Sequence, residues 1–174
     1  MSAVFRTIRK RGTVNAVSPL TRPNNTDAYI AKDTVADLAT GAHVWKWAGL
    51  LGASQLAGSS GKIVRAVLLT DQVTNTEVFR LHLYSAAPTA LGDNVPCTAP
   101  LLADVATYLG PVDFPAAVGE ATSSAAHAVS VVEHQIASDA NGDIYGILEA
   151  VGGFTPAANQ KWEITLFAQA GAGA

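Results

Sequence analysis

Apolar and polar residues alternate along much of the chain in the pattern of short β-strands. In residues 77–84, Phe79, Leu81 and Leu83 fall on one face and the intervening side chains on a wetter face, because side chains alternate along a strand. Residues 62–69 are apolar at nearly every position after the first, which favours a central strand over a helix. We therefore predict that these two neighbouring strands form the centre of a β-sandwich.

Turn signals separate further strand patterns in the second half of the chain. The pair Asn141-Gly142 favours a two-residue hairpin, so we predict that residues 127–136 and 143–151 pair through it. Residues 98–104 predict a short helix, because Thr98 is a suitable cap and a proline follows at an early helical position.

The remaining strands complete an all-β prediction. Residues 107–114 contain Gly110-Pro111, which predicts an edge strand or a bulge, because proline lacks the donor that a sheet ladder requires. Residues 161–169 alternate again, with three large apolar side chains on one face. The sequence predicts a mainly β protein, an antiparallel β-sandwich of jelly-roll type, with one or two short helices.

Composition indicates a protein that packs against neighbours. A chain of 174 residues is large enough for one domain with its own core. Only 14% of its residues are charged, against about a quarter in an ordinary domain, although an alanine-rich composition also follows from genome base content. The single Cys97 forms no internal disulfide, and we expect neither a secretory signal nor a membrane-spanning segment.

Charge is distributed unevenly along the chain. Residues 1–26 hold five basic and no acidic residues, whereas 27–174 hold six basic and fourteen acidic residues. Prolines and asparagines near the end of the basic segment predict a loop. We predict an extended basic arm over 1–26 and a single sandwich domain over 27–174, with a solvated, flexible terminus as the alternative. The arm residues predicted to contact a partner are Arg6, Arg9, Lys10, Arg11 and Arg22.

Candidate chemistry is sparse. The four histidines stand at no metal-ligand spacing with one another or with Cys97; they are His43, His82, His127 and His134. Residues 58–62 superficially resemble a phosphate-binding loop, but the first glycine and the hydroxyl residue after the lysine are missing. We expect no catalytic residues, cofactor, metal or small-molecule substrate, and no nucleic acid, since the basic cluster lacks a binding motif.

Several local motifs resemble small structural proteins of tailed bacteriophages. They lie within 58–114, about a third of the chain, and comprise residues 58–63, 80–84, Pro88, 92–94 and 108–112. The resemblance implies a high-copy virion component without catalytic residues, made in the cytoplasm of the bacterial host.

That resemblance suggests a decoration, or cementing, protein on the outer surface of the capsid. Its expected partners are the major capsid protein or another virion protein and copies of itself, for example in a trimer, with no membrane partner. Repetition over the particle would multiply weak contacts made by each basic arm. A tail, baseplate or neck component of the same particle is the alternative.

A carbohydrate-binding module is a second alternative. Residues 43–48 place Trp45 and Trp47 on one strand face, where two indoles could stack on sugars. Burial in a sandwich core is the commoner fate of such side chains. Exposure of these tryptophans therefore separates the two interpretations.

Overall fold

The computed structural model is a sandwich of antiparallel β-sheets, and it describes residues 13–37, 42–51, 60–72, 74, 77–119 and 125–170. A single 3₁₀ helix, Leu102–Thr107, lies among these residues. The strands are β1 (Thr13–Thr21), β2 (Asp33–Val35), β3 (Ala42–His43), β4 (Trp45–Trp47), β5 (Ser60–Thr70), β6 (Phe79–Tyr84), β7 (Leu91–Gly92), β8 (Tyr108–Phe114), β9 (Val118–Gly119), β10 (Ala126–Ala137), β11 (Ile144–Ala150) and β12 (Lys161–Ala170). The mainly β, antiparallel sandwich is confirmed, and jelly-roll connectivity stays a prediction.

Two sheets enclose the core. One has five strands in the order β1-β12-β5-β10-β9, and the other has four in the order β2-β11-β6-β8. Strand β4 also pairs with β11, beside β2, and β3 and β7 form a separate two-stranded ladder. The Trp47 indole N–H donates to the Ile164 carbonyl over 2.9 Å and so joins β4 to β12 in the opposite sheet.

The predicted inward faces of two strands are confirmed. Phe79, Leu81 and Leu83 of β6 are completely buried, as are Ile164 and Leu166 of β12. Burying each side chain of this size contributes about 1.5–3 kcal/mol. The hydrophobic period of two therefore identified which side of each strand packs into the core.

The two strands predicted to form the centre of the sandwich lie in different sheets and do not pair with each other. Strand β5 pairs with β12 and β10, whereas β6 pairs with β11 and β8. Both strands have side chains in the common core, and the chain passes from one sheet to the other between Thr70 and Phe79. Each still lies inside its own sheet, flanked on both sides.

The predicted hairpin at Asn141-Gly142 is wrong, because β10 and β11 belong to different sheets. The Asp139 carboxylate accepts the backbone N–H groups of Asn141 and Asp143, each over 2.8 Å, and Gly142 adopts a positive φ of 80°. This turn leads the chain across the sandwich. Glycine supplies the turn conformation, but it does not decide whether the flanking strands pair.

The edge-strand prediction for residues 107–114 is confirmed, and the helix prediction is displaced. Strand β8 closes one edge of the four-stranded sheet, and its pairing with β6 shifts register between Leu83 and Tyr84. The helix begins at Leu102 rather than at residue 98, and no side chain caps it. Residues 97–100 are extended or irregular instead.

The predicted boundary at residue 26 is wrong, because β1 is part of the sandwich. It pairs with β12 along its whole length, from Thr13 opposite Gln169 to Thr21 opposite Lys161. Leu20 is buried in the core, and Pro19 is tolerated because β1 is an edge strand. Residues 1–12 of the predicted arm lie outside the described residues.

Candidate functional site

The outer face of the five-stranded sheet is exposed and carries apolar side chains among polar ones. Six of its outward aliphatic residues, here called the apolar face, are Val17, Val67, Leu69, Val118, Val129 and Val131. Val17 of β1, Val67 of β5 and Val129 of β10 lie in one row across the sheet. Thr165 of β12 lies between Val17 and Val67 in that row. Val118 and Val131 are the most exposed, at 61% and 82%. A group of exposed apolar side chains on one sheet face is a candidate interaction surface.

Charges on the same side of the sheet nearly cancel. The three basic and two acidic residues there are Lys62, Arg65, Lys161, Glu133 and Glu163. Lys62 Nζ lies 2.7 Å from Glu133 Oε1, so that pair neutralises itself on the surface. The Arg65 guanidinium lies over the Phe167 ring, 3.8 Å from its centroid. The apolar face is therefore suited to a partner surface that is close to neutral.

The extent of the face matches a protein partner. Four of its strands, β1, β12, β5 and β10, run for 9, 10, 11 and 12 residues. At about 3.4 Å per residue and about 4.8 Å between strands, the outer side of these strands covers roughly 690 Å², polar positions included. One partner in a standard protein interface contributes about 800 Å².

Arg22, predicted to contact a partner, lies in the interior of this chain instead. Its side chain is completely buried, and its guanidinium donates to Asp93 over 2.9 Å and to the Tyr29 hydroxyl over 2.5 Å. The Tyr29 hydroxyl donates in turn to Asp93. The prediction is wrong for Arg22, because a fully buried guanidinium cannot reach another molecule. The other predicted contact residues lie outside the described residues; they are Arg6, Arg9, Lys10 and Arg11.

Trp45 and Trp47 are both completely buried. Their rings are close to parallel, 6.4 Å apart between centroids, and the His43 ring packs edge-on against Trp45. The predicted shared face is confirmed, but it points into the core. A sugar platform built on these two indoles is therefore excluded.

The outer face of the four-stranded sheet carries buried polar chemistry. His82 of β6 and Glu149 of β11 are 5% and 7% exposed, and His82 Nε2 lies 2.7 Å from Glu149 Oε2. The other ring nitrogen, Nδ1, lies 3.1 Å from the Tyr108 hydroxyl. Both histidine nitrogens are thus engaged, and the imidazole is fixed between two strands.

Cys97 completes this cluster from outside the named strands. Its Sγ, a ring nitrogen of His82 and a carboxylate oxygen of Glu149 all lie within 4.8 Å of one another. The Cys97 backbone N–H donates to the Lys32 carbonyl over 2.6 Å, which holds the residue beside β2. Cysteine, histidine and glutamate are the side chains that bind zinc-like cations.

The same geometry argues against a cysteine nucleophile. An activated thiol needs a base beside it and a lowered pKa. Here Glu149 and Tyr108 occupy the two imidazole nitrogens, and burial raises the pKa of the Cys97 thiol. The Thr34 hydroxyl and the Ala99 backbone oppose that rise without cancelling it.

The cluster could not be predicted from the sequence, because its members are distant along the chain. His82 and Glu149 are 67 positions apart, and no local spacing relates either residue to Cys97. One signal was present, since His82 interrupts the apolar character of a central strand. Its partners could be identified only from the strand order, which places β11 beside β6.

Comparison with protein-family models and with curated protein sequences gave no match. Within the described part of the chain, no helix is long and apolar enough to cross a membrane.

Proposed function

We propose that the chain is a non-enzymatic structural protein of a tailed bacteriophage, a decoration protein that binds the outside of the head and stabilises it. The observation that supports this most strongly is the apolar face, a sheet surface of near-neutral charge that the described residues leave uncovered. The motif resemblance within residues 58–114 supports the same assignment. The bound partner is the protein shell of the head.

The chemistry of the face defines how it binds that shell. Valine and leucine side chains gain by leaving water, whereas the nearby Lys62–Glu133 pair needs no external counter-charge. We therefore expect the complementary shell surface to be apolar, and the part of the binding that this face contributes to depend weakly on salt. Many copies on one particle add avidity to each contact.

A binding assay with heads that lack this protein tests the proposal. Val129→Glu places a charge in the middle of the apolar face, and we expect it to weaken head binding about 100-fold. Leu102→Glu is the matched control, because Leu102 is 91% exposed on the 3₁₀ helix, away from that face. The control should bind like the original chain. Equal binding by both variants would contradict the proposed use of the face.

The same assay distinguishes the head from two other binding partners, the tail and a second copy of this chain. Binding to purified tails but not to heads would replace the decoration role with a tail role. Loss of self-association in Val129→Glu, with head binding intact, would show that the face is an interface between copies of this chain.

We also predict that a deletion of residues 1–12 makes head binding weaker and less sensitive to salt, because four of the basic residues lie there.

A further inference from the structure

We propose that His82, Cys97 and Glu149 form a binding site for one zinc-like divalent cation on the outer side of the four-stranded sheet. The site is independent of the proposed role in the phage particle. It is assembled from β6, β11 and the segment that runs beside β2.

The distances between the three donor atoms fit a single metal ion. Zinc bonds of about 2.0 Å to nitrogen or oxygen and about 2.3 Å to sulfur place ligand atoms roughly 3.3–3.7 Å apart in a tetrahedron. The donors here lie within 4.8 Å of one another, and His82 Nε2 is 2.7 Å from Glu149 Oε2. Side-chain adjustments of about 1 Å would bring these distances into the tetrahedral range.

The histidine is already held in the orientation that a metal requires. Tyr108 binds Nδ1 through its hydroxyl, and Nε2 points towards Glu149. Metal-bound histidines generally use one nitrogen for the metal and the other for a hydrogen bond that fixes the ring. Tyr108 is thus a positioning residue, and the cation replaces the hydrogen bond between His82 and Glu149.

The charges of the donors balance a dication. A Cys97 thiolate and a Glu149 carboxylate contribute two negative charges, and His82 binds as the neutral ring. On binding, the thiol proton leaves to solvent, and the single proton of the neutral His82 ring sits on Nδ1, which donates it to the Tyr108 hydroxyl oxygen. A sulfur donor with an imidazole favours zinc or cobalt over magnesium or calcium, which prefer oxygen ligands.

Cobalt titration of the reduced, metal-free full-length protein tests the site. We expect one Co²⁺ per chain and a thiolate-to-cobalt charge-transfer band in the near ultraviolet, which one equivalent of Zn²⁺ removes. Cys97→Ser is the key variant, since Cys97 is only partly buried and serine preserves its shape. It should lose the band and bind Zn²⁺ at least about tenfold more weakly.

Two further variants keep the test falsifiable. His127→Gln, on the opposite sheet, should keep the cobalt band and the full affinity for Zn²⁺. Tyr108→Phe should keep the band but weaken Zn²⁺ binding about tenfold, because the imidazole loses its anchor. No near-ultraviolet band in the original chain, or equal Zn²⁺ binding by the original chain and Cys97→Ser, would overturn the proposal and leave a hydrogen-bonded His82–Glu149 pair.

Discussion

The two sheets of the sandwich differ in what covers their outer faces. On the five-stranded sheet, Val131 and Val118 point outward and remain 82% and 61% exposed. On the four-stranded sheet, Tyr84 and His82 also point outward but are 0% and 5% exposed. The difference arises because the chain around Cys97 and the strand end at Tyr108 pack over the second face.

The two outer faces suit different kinds of binding site. The covered face contains a histidine, a carboxylate and tyrosines, which need partners because burial removes their water. The uncovered face includes the valines and the leucine of the apolar face, which gain free energy if another protein covers them. The covered face therefore suits an internal site, and the apolar face suits an external partner.

Loss of Arg22 should have the largest effect on stability. Arg22 follows β1 of the five-stranded sheet and pairs with Asp93, just before the segment that passes beside β2. Arg22→Met leaves a buried carboxylate without its counter-charge, which should lower the free energy of unfolding by about 3–5 kcal/mol. Urea unfolding followed by tryptophan fluorescence measures this change.

The control is the other arginine–aspartate pair of the described chain segments. Arg80 and Asp113 lie 2.6 Å apart, but their side chains are 40% and 58% exposed. Arg80→Met should cost less than about 1 kcal/mol, since water screens an exposed pair. Equal losses in the two variants would show that burial does not distinguish these pairs.

Substitutions of two neighbouring leucines in β5 test which face of this strand packs into the core. Leu68 is 1% exposed in the core, whereas its neighbour Leu69 is 39% exposed on the apolar face. Leu68→Ala should cost about 2–5 kcal/mol, because it leaves a cavity. Leu69→Ala should cost less than about 1 kcal/mol, because it leaves no enclosed cavity. A reversed order in urea unfolding would contradict the assignment of the two faces.

Alkaline pH should lower the stability that the buried tyrosines of the covered face contribute. Burial raises the pKa of Tyr84 and of Tyr108, so the folded chain favours their neutral phenols. An unfolded tyrosine ionises near pH 10, so their contribution is complete below about pH 10. It is lost as the pH rises through the higher folded values. Unfolding midpoints measured between neutral and strongly alkaline pH should therefore fall above that point.

Tyr84→Phe sharpens this prediction. Its hydroxyl is buried without a hydrogen-bond partner among the described residues, so removing it should not lower stability at neutral pH. The variant should also show a shallower alkaline decline, because one buried phenol no longer ionises. An unchanged decline would mean that Tyr84 does not contribute to the pH dependence.

The sequence predicted strand faces well and strand partners poorly. Alternation in β6 and β12 identified the inward residues, because a period of two is a local property of each strand. Pairing is not local: β5 and β6 follow each other along this part of the chain, yet they belong to different sheets. The hairpin prediction at Asn141-Gly142 was wrong for the same reason, since a local turn signal does not determine which strands pair.

The apolar face and the cluster of His82, Cys97 and Glu149 also differ in how far a local sequence pattern predicts them. Once the buried side of each strand is known, the apolar face follows, since Leu69 and Val129 alternate with inward residues. The His82–Glu149 pair depends on β11 lying beside β6, and Cys97 reaches it from a segment without regular structure. Arg22 was misassigned because Asp93, its counter-charge, is 71 positions away.

The smallest expected effect on stability belongs to the most exposed residue of the apolar face. Val131 is 82% exposed, so Val131→Thr should change the free energy of unfolding by no more than about 0.5 kcal/mol. Threonine keeps the β-branched shape that suits a strand, while its hydroxyl remains hydrated. If the face binds the head, this variant should nevertheless weaken binding, because a partner must strip water from that hydroxyl. Unfolding and head binding measured on the same preparation would separate the two effects: a loss of stability above 1 kcal/mol would mean that Val131 already packs against this chain, and unchanged binding would place the contact elsewhere on the face.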